Sequence, residues 1–154
     1  MKFQKQYLWL MLFGVALSGV ASAYTEDCKP TTEHEISDLF VRWNNALQTG
    51  DPAQVVANYA ENSVLLPTLS NEPRLTPEAK ANYFEHFLAK HPRGSIDMRS
   101  IEIDCNTAID TGLYTFTFAD GQSAKARYTF TYKWDGKQWL ITSHHSSLMP
   151  EQAH

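Results

Sequence analysis

Several things are scarce in this chain, and each scarcity closes a class of function. There is no Cys-x-x-Cys pair and no glycine-rich dinucleotide fingerprint, so neither dithiol redox chemistry nor nicotinamide binding has a physical basis here. Only two cysteines occur, Cys28 and Cys105, without a histidine at a ligand spacing, so no metal site is expected. Ser146-Ser147 lacks the strand-turn-helix setting of a nucleophile elbow. Internal repeats, low-complexity tracts and linkers are absent. Basic charge is also short, with 13 Lys and Arg against 17 Asp and Glu. Nucleic acid therefore finds no electrostatic platform and is not expected as a partner.

The one long apolar run is N-terminal. Lys2 and Lys5 precede Tyr7 to Ala16, and small residues follow to Ala21-Ser22-Ala23, the pattern of a secretory cleavage site. The run is shorter than the roughly 20 residues a bilayer-spanning helix requires. We expect residues 1–23 to be a signal peptide and residues 24–154 one exported domain, periplasmic or extracellular, without a membrane anchor after cleavage. The remaining part carries 11 Lys and Arg against all 17 acids, a formal charge of −6. In an exported protein, two cysteines read as a Cys28–Cys105 disulfide, with a pair of buried thiols as the alternative.

Within the domain, helices come first. Thr32-x-x-Glu35 is a capping box, and Ile36, Leu39, Phe40, Trp43 and Leu47 form one apolar stripe that ends before Gly50. Asp51-Pro52 opens a short second helix, with Val55, Val56, Tyr59 and Ala60 as its buried side. Ser63 to Leu66 is a short strand. Pro67 to Leu75 is a loop with Arg74 as its one cation. Thr76-Pro77 caps a third helix carrying Tyr83, Phe84, Phe87 and Leu88 inward.

Strands follow. Ser95 to Cys105 shifts its apolar set from Ile96 and Met98 to Ile101 and Ile103, which predicts a bulge, and Ala108 to Ala119 is the next strand. The stretch from Ala124 to Pro150 is a long hairpin turning at Asp135-Gly136. Its first arm alternates Ala126, Tyr128, Phe130, Tyr132 and Trp134 with polar residues. Its second arm is expected to place Trp139, Ile141, Ser143, His145 and Ser147 on one face, and Leu140, Thr142, His144, Ser146 and Leu148 on the other. The plan is α+β, three helices packed on a curved antiparallel sheet. Tyr114, Phe116 and Phe118, with the aromatic residues of the hairpin, make more aromatic surface than a monomer comfortably exposes, so sister copies are expected to cover it.

The succession of helices and then strands ending in DGKQWLITSHHSSLMP resembles the nuclear transport factor 2-like (SnoaL-like) superfamily. Within it, the similarity is to the association (hub) domain of calcium/calmodulin-dependent protein kinase type II and its exported bacterial relatives. Cys28, the Phe40 to Leu47 helix, Gly50-Asp51, Leu65 to Thr68, Arg74, Tyr83-Phe84, Cys105-Asn106 with Asp110, and Arg127 through Pro150 carry the likeness. It implies a cone-shaped, cystatin-like roll that self-associates through its sheet, at least as a dimer. A cleft between the sheet and the first helix is implied too. The kinase hub has an arginine directly after its last histidine, where this chain has Ser146.

Trp43, Tyr59, Arg74, Arg127 and His145 are the candidate cleft residues. Arg127, mid-strand among threonines, reads either as a clamp for a small anionic ligand or as an arginine paired across the sheet or an interface. His145 reads as a ligand or acid/base group, or as a hydrogen-bonded structural histidine. His144-His145 cannot hold one metal ion, because neighbours on a strand diverge. The expected function is an exported, self-associating, non-catalytic domain with a small-ligand cleft and no cofactor. The alternative is a cofactor-independent isomerase or dehydratase acting through His145 and Arg127.

Overall fold

The computed structural model describes residues 27–68 and 70–150, so the segment 1–23 and its expected cleavage lie outside the described residues. Helix α1 spans Glu33–Gln48, and the Thr32 side chain accepts the Glu35 N–H at 3.1 Å as its N-cap. Ile36, Leu39, Phe40, Trp43 and Leu47 are all buried, as their spacing predicts. Asp51 caps α2, Pro52–Val56, and Thr76 caps α3, Pro77–Leu88.

Strand β1, Tyr59–Leu66, begins earlier than expected. The expectation had Tyr59 and Ala60 on the second helix, but that helix stops at Val56. Continuing it would forfeit a sheet edge: Tyr59 pairs in parallel with Ile141, and the Ile141 N–H donates to the Asn58 carbonyl at 2.9 Å. The ladder satisfies backbone groups that would otherwise be buried unpaired.

Strands β2 (Arg93–Asp104), β3 (Thr107–Thr117), β4 (Ser123–Trp134) and β5 (Trp139–Leu148) complete one sheet of order β1-β5-β4-β3-β2. All pairs except β1 with β5 are antiparallel. The sequence pattern puts the β2 bulge between Met98 and Ile101; it lies one step earlier, between Ile96 and Met98. At the last hairpin, Gly136 takes φ 98°, and the Asp135 carboxylate accepts the Lys137 and Gln138 N–H groups at 2.8 Å.

A second bulge, which the sequence pattern did not disclose, sits in β5. Thr131 pairs with Ser143 but Tyr132 with Ile141, so Thr142 is the extra residue. One extra residue inverts the facing of everything beyond it. Trp139 and Ile141 point inward as expected, and then His144 and Ser146 take over the inner face. His145, expected to share the face of Trp139, is exposed on the other side.

The aromatic face also departs from expectation. Tyr114, Phe116, Tyr128, Phe130 and Tyr132 are buried beneath the protein's own helices, not under sister copies. Trp43 meets Phe130 edge-on at 5.5 Å between centroids and Phe116 at 6.2 Å, and Phe40 lies 6.4 Å from Tyr114. Helix α1 supplies the apolar stripe that these rings need, and burying each such side chain contributes about 1.5–3 kcal/mol. Cys28 and Cys105 form the expected disulfide, but Cys105 belongs to the turn between β2 and β3, not to a strand. The Lys29 N–H donates to the Asn106 Oδ1 at 2.9 Å, and the Asn106 Nδ2 donates to the Asp27 carbonyl at 3.1 Å. The segment before α1 is thus tied to this turn covalently and by hydrogen bonds.

Candidate functional site

The sheet presents two very different hollows. Between its inner face, α3 and the end of β1 lies a cavity of about 90 Å³. It is walled by aromatic rings, among them Trp43, Phe84 and Phe116, and polar groups come from β5. On the outer face, an open groove of about 450 Å³ runs past Met98, Leu113, Arg127 and His145.

His144 is the buried polar centre of the inner cavity, 3% exposed. The bulge at Thr142 turns it inward, where its ring stacks on Phe130 with centroids 4.0 Å apart and meets Trp43 edge-on at 5.3 Å. The Tyr59 hydroxyl lies 2.8 Å from His144 Nδ1, and Trp43 Nε1–H donates to the same hydroxyl at 3.1 Å. His144 Nε2 has no partner. Leaving one buried polar group unpaired costs about 1–3 kcal/mol. Burial, with a smaller push from the neighbouring His145, lowers the His144 pKa to about 3. The ring is therefore neutral at physiological pH.

Two residues further along β5, Ser146 accepts the Tyr114 hydroxyl and shares a hydrogen bond with Thr68. Burial pushes the Tyr59 and Tyr114 phenols upward. Tyr83, also at the cavity, is pushed up to about 12 by burial, with the Arg74 charge pulling the other way. Among the described lining residues Lys90 is the one basic side chain beside the histidine, and it is exposed at the rim, its Nζ 6.0 Å from the centre of the Phe118 ring.

The five expected cleft residues are thereby divided. Trp43 lines the inner cavity, and Tyr59 stands behind it as the partner of Trp43 and His144. Arg74 is half-buried in the loop after β1, bonded to Ser70 at 3.2 Å and 3.6 Å from Glu72. Arg127 and His145 share the outer groove. There the Arg127 guanidinium donates to the Ser147 hydroxyl and to the Leu148 carbonyl at 3.2 and 3.3 Å, both on the neighbouring strand β5. Arg127 and His145, which the isomerase or dehydratase alternative named, are thus brought together in the open outer groove and not in the inner cavity.

Reasoning from sequence missed His144, Ser146 and a second buried group. Asp110 has no exposure, accepts the Tyr128 hydroxyl at 2.8 Å and lies 3.0 Å from the Arg99 guanidinium. Burial pushes its carboxyl upward, against the pull of Tyr128 and Arg99. Asp110 shares the parity of Tyr114 and Phe116, so its position was legible. That of His144 was not, because it depends on the bulge. Among the described residues, no cluster of three His, Cys, Asp or Glu could hold a metal ion, and no helix is long and apolar enough to cross a membrane.

Comparison with known proteins adds to this geometry. The family model of the calcium/calmodulin dependent protein kinase II association domain matches residues 32–150. Among solved structures, a candidate association domain of that kinase from Xanthomonas campestris is 44% identical, over 86% of this chain and 100% of that one, with a TM-score of 0.76. A nuclear transport factor 2-like protein of unknown function from Pseudomonas putida is 22% identical, over 75% of this chain and 84% of that one, with a TM-score of 0.66. A candidate dehydratase of the same fold family from Streptomyces avermitilis is 11% identical, over 77% and 96%, with a TM-score of 0.68. The last two share the fold alone. Comparison with curated proteins gives no match.

Proposed function

Because this chain belongs to the calcium/calmodulin dependent protein kinase II association domain family, we propose that it is an exported domain that self-associates and holds a small ligand in the cavity beneath α3. The observation that carries this reading is the division of the sheet. Its inner face is closed by the helices around a small cavity lined by a histidine whose Nε2 has no partner, and its outer face is left uncovered by the described elements. Self-association draws on the family and on that outer face, where Met98 is half exposed beside Leu113 and Arg127. The buried aromatic rings no longer argue for it.

Export is supported by the Lys2-to-Ala23 pattern and by the disulfide, since a structural Cys28–Cys105 bridge persists in an oxidising compartment. The chain has no phosphate-binding loop, so the kinase in the family's description names a relationship and not an activity of this protein. Ligand binding is the cavity's role, without chemistry.

The test is expression of the whole gene product in a bacterial host, followed by fractionation, N-terminal sequencing and light scattering. The expected result is a periplasmic or secreted protein beginning at Tyr24, with a mass of at least a dimer. A monomer at every concentration, or a protein retained in the cytoplasm with residues 1–23 intact, would contradict the reading.

A further inference from the structure

The hydrogen-bond chain from α1 to β5 decides where the His144 proton is. Trp43 Nε1 can only donate, and it does so to the Tyr59 oxygen. That hydroxyl must place its own proton, and the acceptor within reach is His144 Nδ1, at 2.8 Å. The neutral imidazole then carries its hydrogen on Nε2, the nitrogen that no protein atom meets. Helix α1, strand β1 and strand β5 thus cooperate to hold a single unspent N–H donor on a ring that lines the cavity.

The surroundings define what can accept that donor. Among the described residues no acidic side chain lines the cavity, and the one lysine on the lining, Lys90, is out at the rim. A carboxylate drawn in to His144 would lose its water and meet no opposite charge, which is strongly unfavourable. A neutral carbonyl oxygen loses far less and gains the hydrogen bond. Tyr114, Ser146 and Thr68 strengthen the point: three hydroxyl protons serve two mutual bonds, which leaves one donor over and adds no charge. The aromatic walls suit an apolar body, and about 90 Å³ is smaller than the roughly 150 Å³ cavity that takes benzene.

We infer that the cavity selects small, uncharged carbonyl compounds, held through the Nε2–H of His144, over carboxylates of similar size. This rests on reading the cavity as a ligand site, and it names the ligand class for it. The probes are acetone, 2-methylpropene, which has the same shape without the ketone oxygen, and acetate, each smaller than benzene. Each is titrated into the purified protein while the His144 ring nitrogens are followed by ¹⁵N NMR. The free protein should show the proton on Nε2. Acetone should shift that signal and bind about tenfold more tightly than the hydrocarbon, the value of one buried hydrogen bond, with acetate weakest. His144→Phe should abolish the preference for the ketone while leaving hydrocarbon binding intact.

Equal binding of ketone and hydrocarbon, or tighter binding of acetate, would overturn the ligand class and leave the cavity standing as a site. Failure of all three probes to bind would overturn the site reading as well. A proton found on Nδ1 in the wild-type spectrum would overturn the inference even if the Phe variant does not fold.

Discussion

Asp110 and Arg99 form an ion pair across strands β3 and β2, with carboxylate and guanidinium 3.0 Å apart and the acid sealed from solvent. The guanidinium also sits 5.8 Å from the centre of the Phe40 ring, so the pair is capped by α1. Removing one partner strands the other charge in the core. Asp110→Ala should destabilise the fold by about 3–5 kcal/mol in urea titrations. The double variant Asp110→Leu with Arg99→Met should recover most of that loss, and a double variant as unstable as the single one would show the pair to be indispensable.

His144 makes stability depend on pH in a defined window. Its folded-state pKa is lowered to about 3, against 6.5 as the ordinary value. Above 6.5, both folded and unfolded chains hold a neutral ring, and the group contributes no slope. Between 6.5 and about 3, the unfolded chain takes up a proton that the folded one refuses, so stability falls as pH falls. The slope attributable to this residue is roughly 1.4 kcal/mol per pH unit at most. Denaturation midpoints measured from pH 7 to pH 4 should show it, and His144→Phe should flatten the curve.

The Cys28–Cys105 bridge joins positions 77 residues apart. Closing so long a loop restricts the unfolded chain, and Cys105→Ser should cost about 2–5 kcal/mol. Chemical denaturation with and without reductant should give the same difference for the unaltered protein and none for the variant.

At Gly112, β3 runs so close to the β2 bulge that an added Cβ would stand 1.9 Å from the Met98 carbonyl oxygen. Backbone, not a flexible side-chain tip, is in the way. Gly112→Ala should therefore separate the two strands locally and destabilise by at least about 2 kcal/mol, readable as a lowered Tm and faster amide exchange in β2.

The outer face can be tested apart from the core. Leu113→Asp and Arg127→Glu change exposed or half-exposed side chains that pair with each other across β3 and β4. Light scattering should show a smaller assembly for each, with Tm altered little for the monomeric unit. An unchanged mass would move the association surface elsewhere.

Much of this architecture was written into local chemistry. The Thr32, Asp51 and Thr76 caps, the stripe from Ile36 to Leu47 and the turn at Asp135-Gly136 each follow from a side chain acting on its own neighbourhood, and each stands where expected, while the β2 bulge falls one step earlier than the apolar pattern put it. Tyr59 is the exception among the elements, because its strand exists only when β5 lies alongside to receive it. The two cysteines and the family likeness were equally legible. Neither said which cavity the fold would enclose.

What the linear pattern could determine was alternation: Tyr128, Phe130 and Tyr132 share a side, and His144 and His145 oppose each other. Period two carries no sign, and a single inserted residue reverses it. The three-dimensional structure made two decisions. Helix α1 covers the aromatic side, which is why those rings need no second subunit, and the extra residue at Thr142 turns His144 inward and His145 out. Both depend on packing between segments far apart in the chain, where burial of apolar surface outweighs any local preference, and that is why the interior histidine became visible only in the folded protein.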